Sequence, residues 1–317
     1  EGLHVVPARD EHREVARPHA VVEGDVPAAE IQGKRLIFIP EGLLSQIPFE
    51  ALAPTPAKSW SEFDYLGRRH VVSYHFSASL LVHGLREGHS RAPYDLLALA
   101  PVFAAGTALQ QPEAVDALRS LLGTEAAPPP LPASATEVQA IDQLFREKGL
   151  VSRIALHHQA TEQEMKSRKL SQYKYLHLAT HGFVHPEQPN LSGVMLYPSD
   201  KEGAEDGVLF AGELYGLELD AELVTLSACE TGSGAVVMGE GLMGLSRGLF
   251  YAGARRVLVS LWKVSDASTA RLMTSLYGWR LEGRSVAEAL QQARLMLLRT
   301  PETSAPYYWA PFVLLGR

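Results

Sequence analysis

The chain has 317 residues, a formal net charge of −7 and 46% hydrophobic residues, which is material for one or two packed domains of roughly 150 residues each. The basic pairs Arg68-Arg69 and Arg255-Arg256 are short and set in apolar sequence, so the chain lacks the electrostatic footprint of a protein that contacts nucleic acid directly. No apolar run approaches the roughly 18 residues of a membrane span, and Glu1-Gly2-Leu3-His4 lacks the layout of a signal peptide, so a cytoplasmic protein without membrane contact is expected.

Cys229 is the single cysteine; it cannot form an internal disulfide and fits a reducing compartment. A first residue other than Met reads as a piece cut from a longer protein. Residues 1–34 mix Pro, Glu, Arg and His without a clean period and read as an approach segment. Leu36-Ile37-Phe38-Ile39, stopped by Pro40, and Leu96-Leu97-Ala98-Leu99-Ala100, stopped by Pro101, predict two short buried strands. The proline segment Ala126 to Pro132 connects two lobes and sets a boundary near 130, giving lobes 35–130 and 131–317. Ser134-x-x-Glu137 has the spacing of a capping box and opens a helix whose apolar face is Val138, Ile141, Leu144 and Phe145.

A strand from Arg153 to Leu156 and a second capping box, Thr161-x-x-Glu164, follow. The pattern continues with strands 175–180 and 194–197, a short helix near 211–217, strand 223–228, a helix over about 240–252 ended by Gly253, and strand 257–262. Two long amphipathic helices, near 266–281 and 285–299, precede a last strand, Phe312 to Leu315. Alternating strands and helices predict an α/β fold with a mostly parallel sheet covered by helices on both faces. Sites in such sheets lie beyond the carboxyl ends of the strands.

Two of those ends carry reactive groups. Strand 223–228 runs into Cys229 and the glycine-rich Glu230-Thr231-Gly232-Ser233-Gly234, and strand 175–180 runs into His181-Gly182. A thiol and an imidazole are the minimum set for a cysteine hydrolase, the imidazole taking the thiol proton. The backbone amides of Gly182 and Cys229 are candidate oxyanion donors. The competing reading is a buried, inert cysteine and a hydrogen-bonded packing histidine.

Other motifs compete less well. Gly244-Leu245-Ser246-Arg247-Gly248 matches G-x-S-x-G, but no histidine follows His185 and the serine falls inside a predicted helix. Gly239-Glu240-Gly241-Leu242-Met243-Gly244 matches G-x-G-x-x-G, with Asp266 downstream, and would make a nucleotide-binding loop. That fingerprint should follow its strand at once, whereas the cysteine loop intervenes. His177, His181 and His185 recur every four residues, a spacing of roughly 13 Å on a strand and too long for one zinc ion, so no metal is expected. Asp266 would place a carboxylate at the same edge, suited to a Lys or Arg of a substrate; an ordinary N-cap role for Ser265 or Asp266 explains it equally. Glu240 is a weaker substrate-binding candidate, read also as a helix-start or loop residue.

Five segments then carry a resemblance: Leu176-His177-Leu178-Ala179-Thr180-His181-Gly182, Leu226-Ser227-Ala228-Cys229-Glu230-Thr231-Gly232, Gly239-Glu240-Gly241, Ser260 to Asp266 (SLWKVSD), and Tyr308-Trp309-Ala310-Pro311-Phe312. In this order the chain resembles a CHAT domain, the bacterial relative of caspases and separases often attached to tetratricopeptide repeats. The likeness runs upstream through Ile39-Pro40-Glu41-Gly42, with Glu where the family commonly has Asp, and Ser77-Ala78-Ser79-Leu80. It implies a caspase-like catalytic lobe preceded by a smaller α/β pseudo-caspase-like lobe, with Cys229 as nucleophile and His181 as general base and acid. It also implies a protein substrate cut through a thioester, no cofactor, and switching by an activating partner or by the repeat region of the same protein. By likeness to separase, Asp266 would select a basic residue before the cut. A catalytically silent interaction module remains the alternative, nucleotide binding through the Gly239–Gly244 loop the third reading, and defence one of several compatible settings.

Overall fold

The computed structural model describes residues 3–4, 21–22, 31–84, 88–103, 130–167, 169–185, 188–198, 205–227, 229–230, 238–262 and 264–316. Most of the proline segment, 126–129, and the glycine-rich loop after Glu230 lie outside the described residues. Fourteen strands are described: β1 (Leu3–His4), β2 (Val21–Val22), β3 (Leu36–Phe38), β4 (Val72–Tyr74), β5 (Tyr94–Ala100), β6 (Ser152–Leu156), β7 (Tyr173–Leu178), β8 (His181–Phe183), β9 (Gly193–Met195), β10 (Val208–Phe210), β11 (Leu223–Leu226), β12 (Cys229–Glu230), β13 (Arg256–Ser260) and β14 (Phe312–Gly316). The helices that shape the site are α1 (Pro132–Glu147), α2 (Glu162–Met165), α3 (Ala211–Leu214), α4 (Met238–Ala252), α5 (Asp266–Leu281) and α6 (Val286–Arg299).

An eight-stranded sheet in the order β3-β4-β14-β13-β11-β7-β5-β6 forms the centre. Its ladders are parallel throughout except where β13 meets β14. Alternate residues along each central strand face opposite ways, as a pleated strand buried on both faces requires. Leu97, Leu99, Leu176, Leu178, Val224, Leu226, Val257 and Val259 pack into one core with Leu245 and Leu249 of α4 and Leu214 of α3. Leu96, Ala98, Tyr175, Leu223 and Leu258 pack into the other with Val138, Ile141 and Phe145 of α1, Leu272 and Leu276 of α5, and Leu290 of α6. Each fully buried aliphatic side chain in these layers contributes about 1.5–3 kcal/mol of transfer free energy. The mostly parallel α/β sheet with helices on both faces is the expected fold.

Strands on both sides of residue 130 share this one sheet: β3 and β4 join it through β14, and β5 lies between β7 and β6. A buried ion pair between Glu50 and Arg294, with the Tyr74 hydroxyl donating to Glu50, ties the early chain to α6. Gln291 of α6 adds hydrogen bonds to the carbonyls of Gly67 and His70 at 2.9 and 3.0 Å.

The first helix departs from the sequence expectation. Helix α1 starts at Pro132 after Leu131, which provides no side-chain cap. Pro132 supplies the start instead, its ring presetting φ and its missing N–H leaving one fewer donor to satisfy. Ser134 Oγ donates back to the Leu131 carbonyl at 2.7 Å, and Glu137 turns into the core, so no capping box forms. Thr161 does cap α2, accepting from the Glu164 amide at 3.2 Å, while the Glu164 carboxylate pairs with Arg153 rather than closing the box.

Gly253 ends α4 as expected, with φ +114°; a Cβ there would stand 2.2 Å from the Leu219 carbonyl oxygen. Both the positive φ and the backbone clash oppose any side chain, so Gly253→Ala should lower unfolding stability by about 2–3 kcal/mol. Denaturant melts of the two proteins measure this difference, and equal midpoints would show that the turn relaxes freely.

Candidate active site

Beyond the carboxyl ends of β7 and β11 the chain builds a second sheet, in the order β10-β9-β8-β12. In the main sheet β7 and β11 are direct parallel neighbours, with His177 opposite Thr225 and Leu178 opposite Leu226. Each strand breaks, then resumes in the second sheet as β8 and β12, again parallel, with His181 opposite Cys229 and Gly182 opposite Glu230. Partners are 48 residues apart in both ladders (177 with 225, 181 with 229), so the register passes unchanged across the break. The Ser227 amide spans it, donating to the Leu178 carbonyl at 2.9 Å. The Thr180 hydroxyl donates to the Met195 carbonyl and anchors the linker to β9. Neighbouring strands lie about 4.8 Å apart, so the backbones of the thiol and imidazole residues stand side by side.

His181 is 1% exposed. Its ring lies 5.6 Å from that of Phe103, which in turn stacks on Tyr197 at 5.7 Å. Phe103 reaches this position through a strained turn: Val102 and Phe103 have φ of +69° and +41°, and the Phe103 amide donates to the Pro101 carbonyl at 2.9 Å. Positive φ at a β-branched residue costs on the order of 1–3 kcal/mol and persists only where the surroundings hold it. Here the Val102 carbonyl accepts from the Leu131 amide at 2.9 Å, binding the turn to the start of α1. Gly182 sits between two strands, opposite Glu230 on one side and Val194 on the other.

Behind the breaks lies a buried polar cluster. The Glu137 carboxylate of α1, 1% exposed, meets His177 Nε2 at 2.7 Å and accepts from the Ser227 hydroxyl at 2.7 Å. The Tyr277 hydroxyl of α5 lies 3.3 Å from His177 Nδ1 and 3.0 Å from Thr225 Oγ1. Burial pushes the Tyr277 phenol far above its ordinary range, the Thr225 hydrogen bond opposing this, so the hydroxyl stays protonated. The sequence reading did not single out Glu137 or Phe103 for the site. One signal was present for Glu137: it lies four residues before Ile141 and eight before Phe145, on the stripe that faces the core.

Asp266 opens α5 at the same edge, behind Ser265, whose side chain makes no cap bond. The Asp266 Oδ2 accepts from the Ala133 amide at 2.7 Å and so caps the neighbouring helix α1. Burial raises its carboxyl above the ordinary value; the Ala133 amide opposes the shift and the nearby Glu137 charge adds to it. Glu240 falls in the first turn of α4, and Gly239–Gly244 lies within that helix. The strand-to-helix turn that a dinucleotide fingerprint needs is therefore absent from this segment. Ser246 is likewise inside α4 and fully buried, not on an elbow.

His177 belongs to the polar cluster and His185 to the loop after β8, where its amide donates to Ser192 Oγ at 3.0 Å. Among the described residues the Glu162, Glu205 and Glu213 carboxylates come within 4.8 Å of one another. Lys166 Nζ already occupies their centre, 2.6 Å from Glu162 and Glu213. A cavity of about 850 Å³ lies at the opposite end of the sheet, where Arg256 begins β13, lined among others by Arg35, Phe76, Arg247, Phe250 and Arg256. No described helix is long and apolar enough to cross a membrane.

Comparison with known proteins agrees with the motif order. The chain is 26% identical over 313 residues to human tetratricopeptide repeat protein 28 and 25% identical over 313 residues to the mouse protein, in each case covering 89% of this chain and 12% of the relative. It thus spans about an eighth of the length of these relatives. Both are mammalian, and they lend no support to a bacterial source, which the resemblance to a family described as bacterial would imply. Among solved structures, the separase–securin complex of Saccharomyces cerevisiae aligns with a TM-score of 0.45 and 16% identity over 81% of this chain and 14% of that one. The Arg-specific cysteine proteinase gingipain R aligns with a TM-score of 0.47 and 9% identity over 77% of this chain and 54% of that one. The CHAT domain model matches residues 14–317, and the chain belongs to the CHAT domain family.

Proposed function

We propose that this chain is a cysteine endopeptidase that cuts a protein substrate through a Cys229–His181 dyad. The observation that carries the reading is the register of β8 and β12, which sets the only cysteine of the chain directly beside a buried histidine at the carboxyl edge of the sheet. In the proposed reaction the His181 imidazole takes the Cys229 proton, and the thiolate attacks the scissile carbonyl carbon. The amide bond breaks, His181 returns the proton to the leaving amine, and water activated by His181 hydrolyses the thioester. Backbone amides of Gly182 and Cys229 are the proposed oxyanion donors. No cofactor enters these steps.

Asp266 is the proposed pocket residue for a Lys or Arg before the cut, with Glu240 as a second acidic candidate. Its carboxylate is only partly committed, since the bond from Ala133 uses Oδ2. The curated relatives are named as repeat proteins, which supports a regulator located in the repeat region of a longer protein.

Appearance of new protein N-termini in a lysate treated with this chain, and their loss with Cys229→Ala or His181→Ala, is the expected outcome; identical patterns for all three proteins would refute the peptidase reading. The raised carboxyl of Asp266 gives a separate expectation. Because its native value lies above the unfolded one, the charge opposes folding at neutral pH, and this penalty vanishes as pH falls below the unfolded value. Asp266→Asn, which keeps an acceptor for Ala133, should therefore melt at or above the wild-type temperature near neutral pH and converge with it in acid. Asp266→Ala should be less stable than the Asn variant by about 1 kcal/mol, the acceptor being lost. In the lysate assay, Asp266→Asn should weaken any preference for a basic residue before the cut.

A further inference from the structure

We propose that Glu137 is a positioning residue of the candidate dyad, a buried carboxylate on α1 that locks the two strands carrying Cys229 and His181 at the point where both break. The inference rests on the dyad reading and deepens it. The two hydrogen bonds of Glu137 go to different strands: His177 Nε2 at 2.7 Å lies four residues before His181, and Ser227 Oγ at 2.7 Å lies two residues before Cys229. One carboxylate oxygen, Oε1, serves both, so a shift of one strand relative to the other must lengthen at least one bond.

The cluster is closed to water and braced from α5. Glu137 and His177 are 1% and 0% exposed, and Tyr277, 0% exposed, reaches His177 and Thr225, which are themselves opposite one another in the ladder. A core position filled by Leu would be the cheaper solution for helix α1, since a buried carboxylate must recover its lost hydration through the bonds it makes. What the polar cluster adds is direction: hydrogen bonds fix relative positions along the strand axis, where apolar contacts tolerate sliding. Sliding matters here because a thiol and an imidazole exchange a proton only within about 2.6–3.2 Å or through one water. The ends of the two locked segments are the dyad residues themselves.

The chain's single thiol gives a direct readout that does not depend on knowing a substrate. The rate at which iodoacetamide alkylates Cys229 is followed across pH for wild type, His181→Ala, Glu137→Gln and Ser227→Ala, with circular dichroism and melting on the same samples. In the wild type, the paired thiol should react with a midpoint below that of an ordinary cysteine, and His181→Ala should restore the ordinary profile. Glu137→Gln should move the profile toward that of His181→Ala, slowing alkylation about fivefold or more near pH 6.5 while the protein stays folded. Ser227→Ala removes only one arm, should fold whether or not the Gln variant does, and should move the profile in the same direction by less. A lowered melting temperature with an unmoved profile in the folded variants would overturn the proposal and leave Glu137 a packing residue. If His181→Ala itself leaves the wild-type profile unchanged, the dyad reading fails and this inference falls with it; if only the Glu137 and Ser227 variants leave it unchanged, the dyad stands and this inference alone is lost.

Discussion

Everything at the candidate site depends on one register. Strands β7 and β11 are parallel neighbours in the main sheet, and their continuations β8 and β12 are parallel neighbours in the second, with the same pairing offset. Pairing follows position residue by residue, so a slip of one residue in the second ladder would set Cys229 opposite Thr180 or Gly182 instead of His181. The two breaks must therefore consume equal lengths of chain, and the residues at the breaks are tied by hydrogen bonds to each other, to β9 and to α1. The site is an alignment problem solved by backbone pairing before any side chain acts.

The layers around the sheet have divided roles. The face covered by α3 and α4 is apolar along the central strands, whereas the face covered by α1 and α5 admits a carboxylate, an imidazole, two aliphatic hydroxyls and a phenol directly beneath the strand breaks. Such groups stabilise a fold only when each finds a partner: removing one member of a buried ion pair costs about 3–5 kcal/mol, and leaving a neutral buried hydrogen-bonding group without its partner about 1–3 kcal/mol. The strained turn at Val102 and Phe103 belongs to the same face of the problem. It draws the end of β5 over His181 and is held by the start of α1. The amino end of α1 thus meets the turn, the Asp266 carboxylate and, one turn further along, the polar cluster.

Much of this was legible in the sequence because the central strands and long helices carry strong patterns. Helix 285–299, the glycine stop at Gly253, and the strand ends before His181 and Cys229 follow from apolar periodicity and breaker residues, whereas helix 266–281 is not the amphipathic helix expected: Ser268 and Thr269 share its buried face with Leu272 and Leu276. The direct adjacency of β7 and β11 was not legible, since periodicity says which residues are buried and not which strands pair. Glu137 was misread because a glutamate three residues after a serine has two uses, and local spacing favours the cap. Its competing signal, a place on the apolar stripe with Ile141 and Phe145, outweighs the cap once Pro132 has already started the helix. Phe103 was invisible for a different reason: its position rests on positive φ values that no propensity assigns to Val or Phe. Asp266 shows a third pattern, a capping residue that serves a neighbouring helix rather than its own, which only tertiary packing reveals.

The place of β14 has a consequence for how the molecule is made. Among the described residues, β3 and β4 reach the rest of the sheet solely through β14, which lies between β4 and β13. On a ribosome adding roughly 5–20 residues per second, residue 312 follows residue 74 by on the order of 10–50 seconds. For that interval the early strands have an open edge and no native neighbour to fill it, a surface that invites pairing with other nascent chains. The order of elements along the chain thus creates a window of vulnerability during synthesis, closed when the last strand slides between the two halves of the sheet.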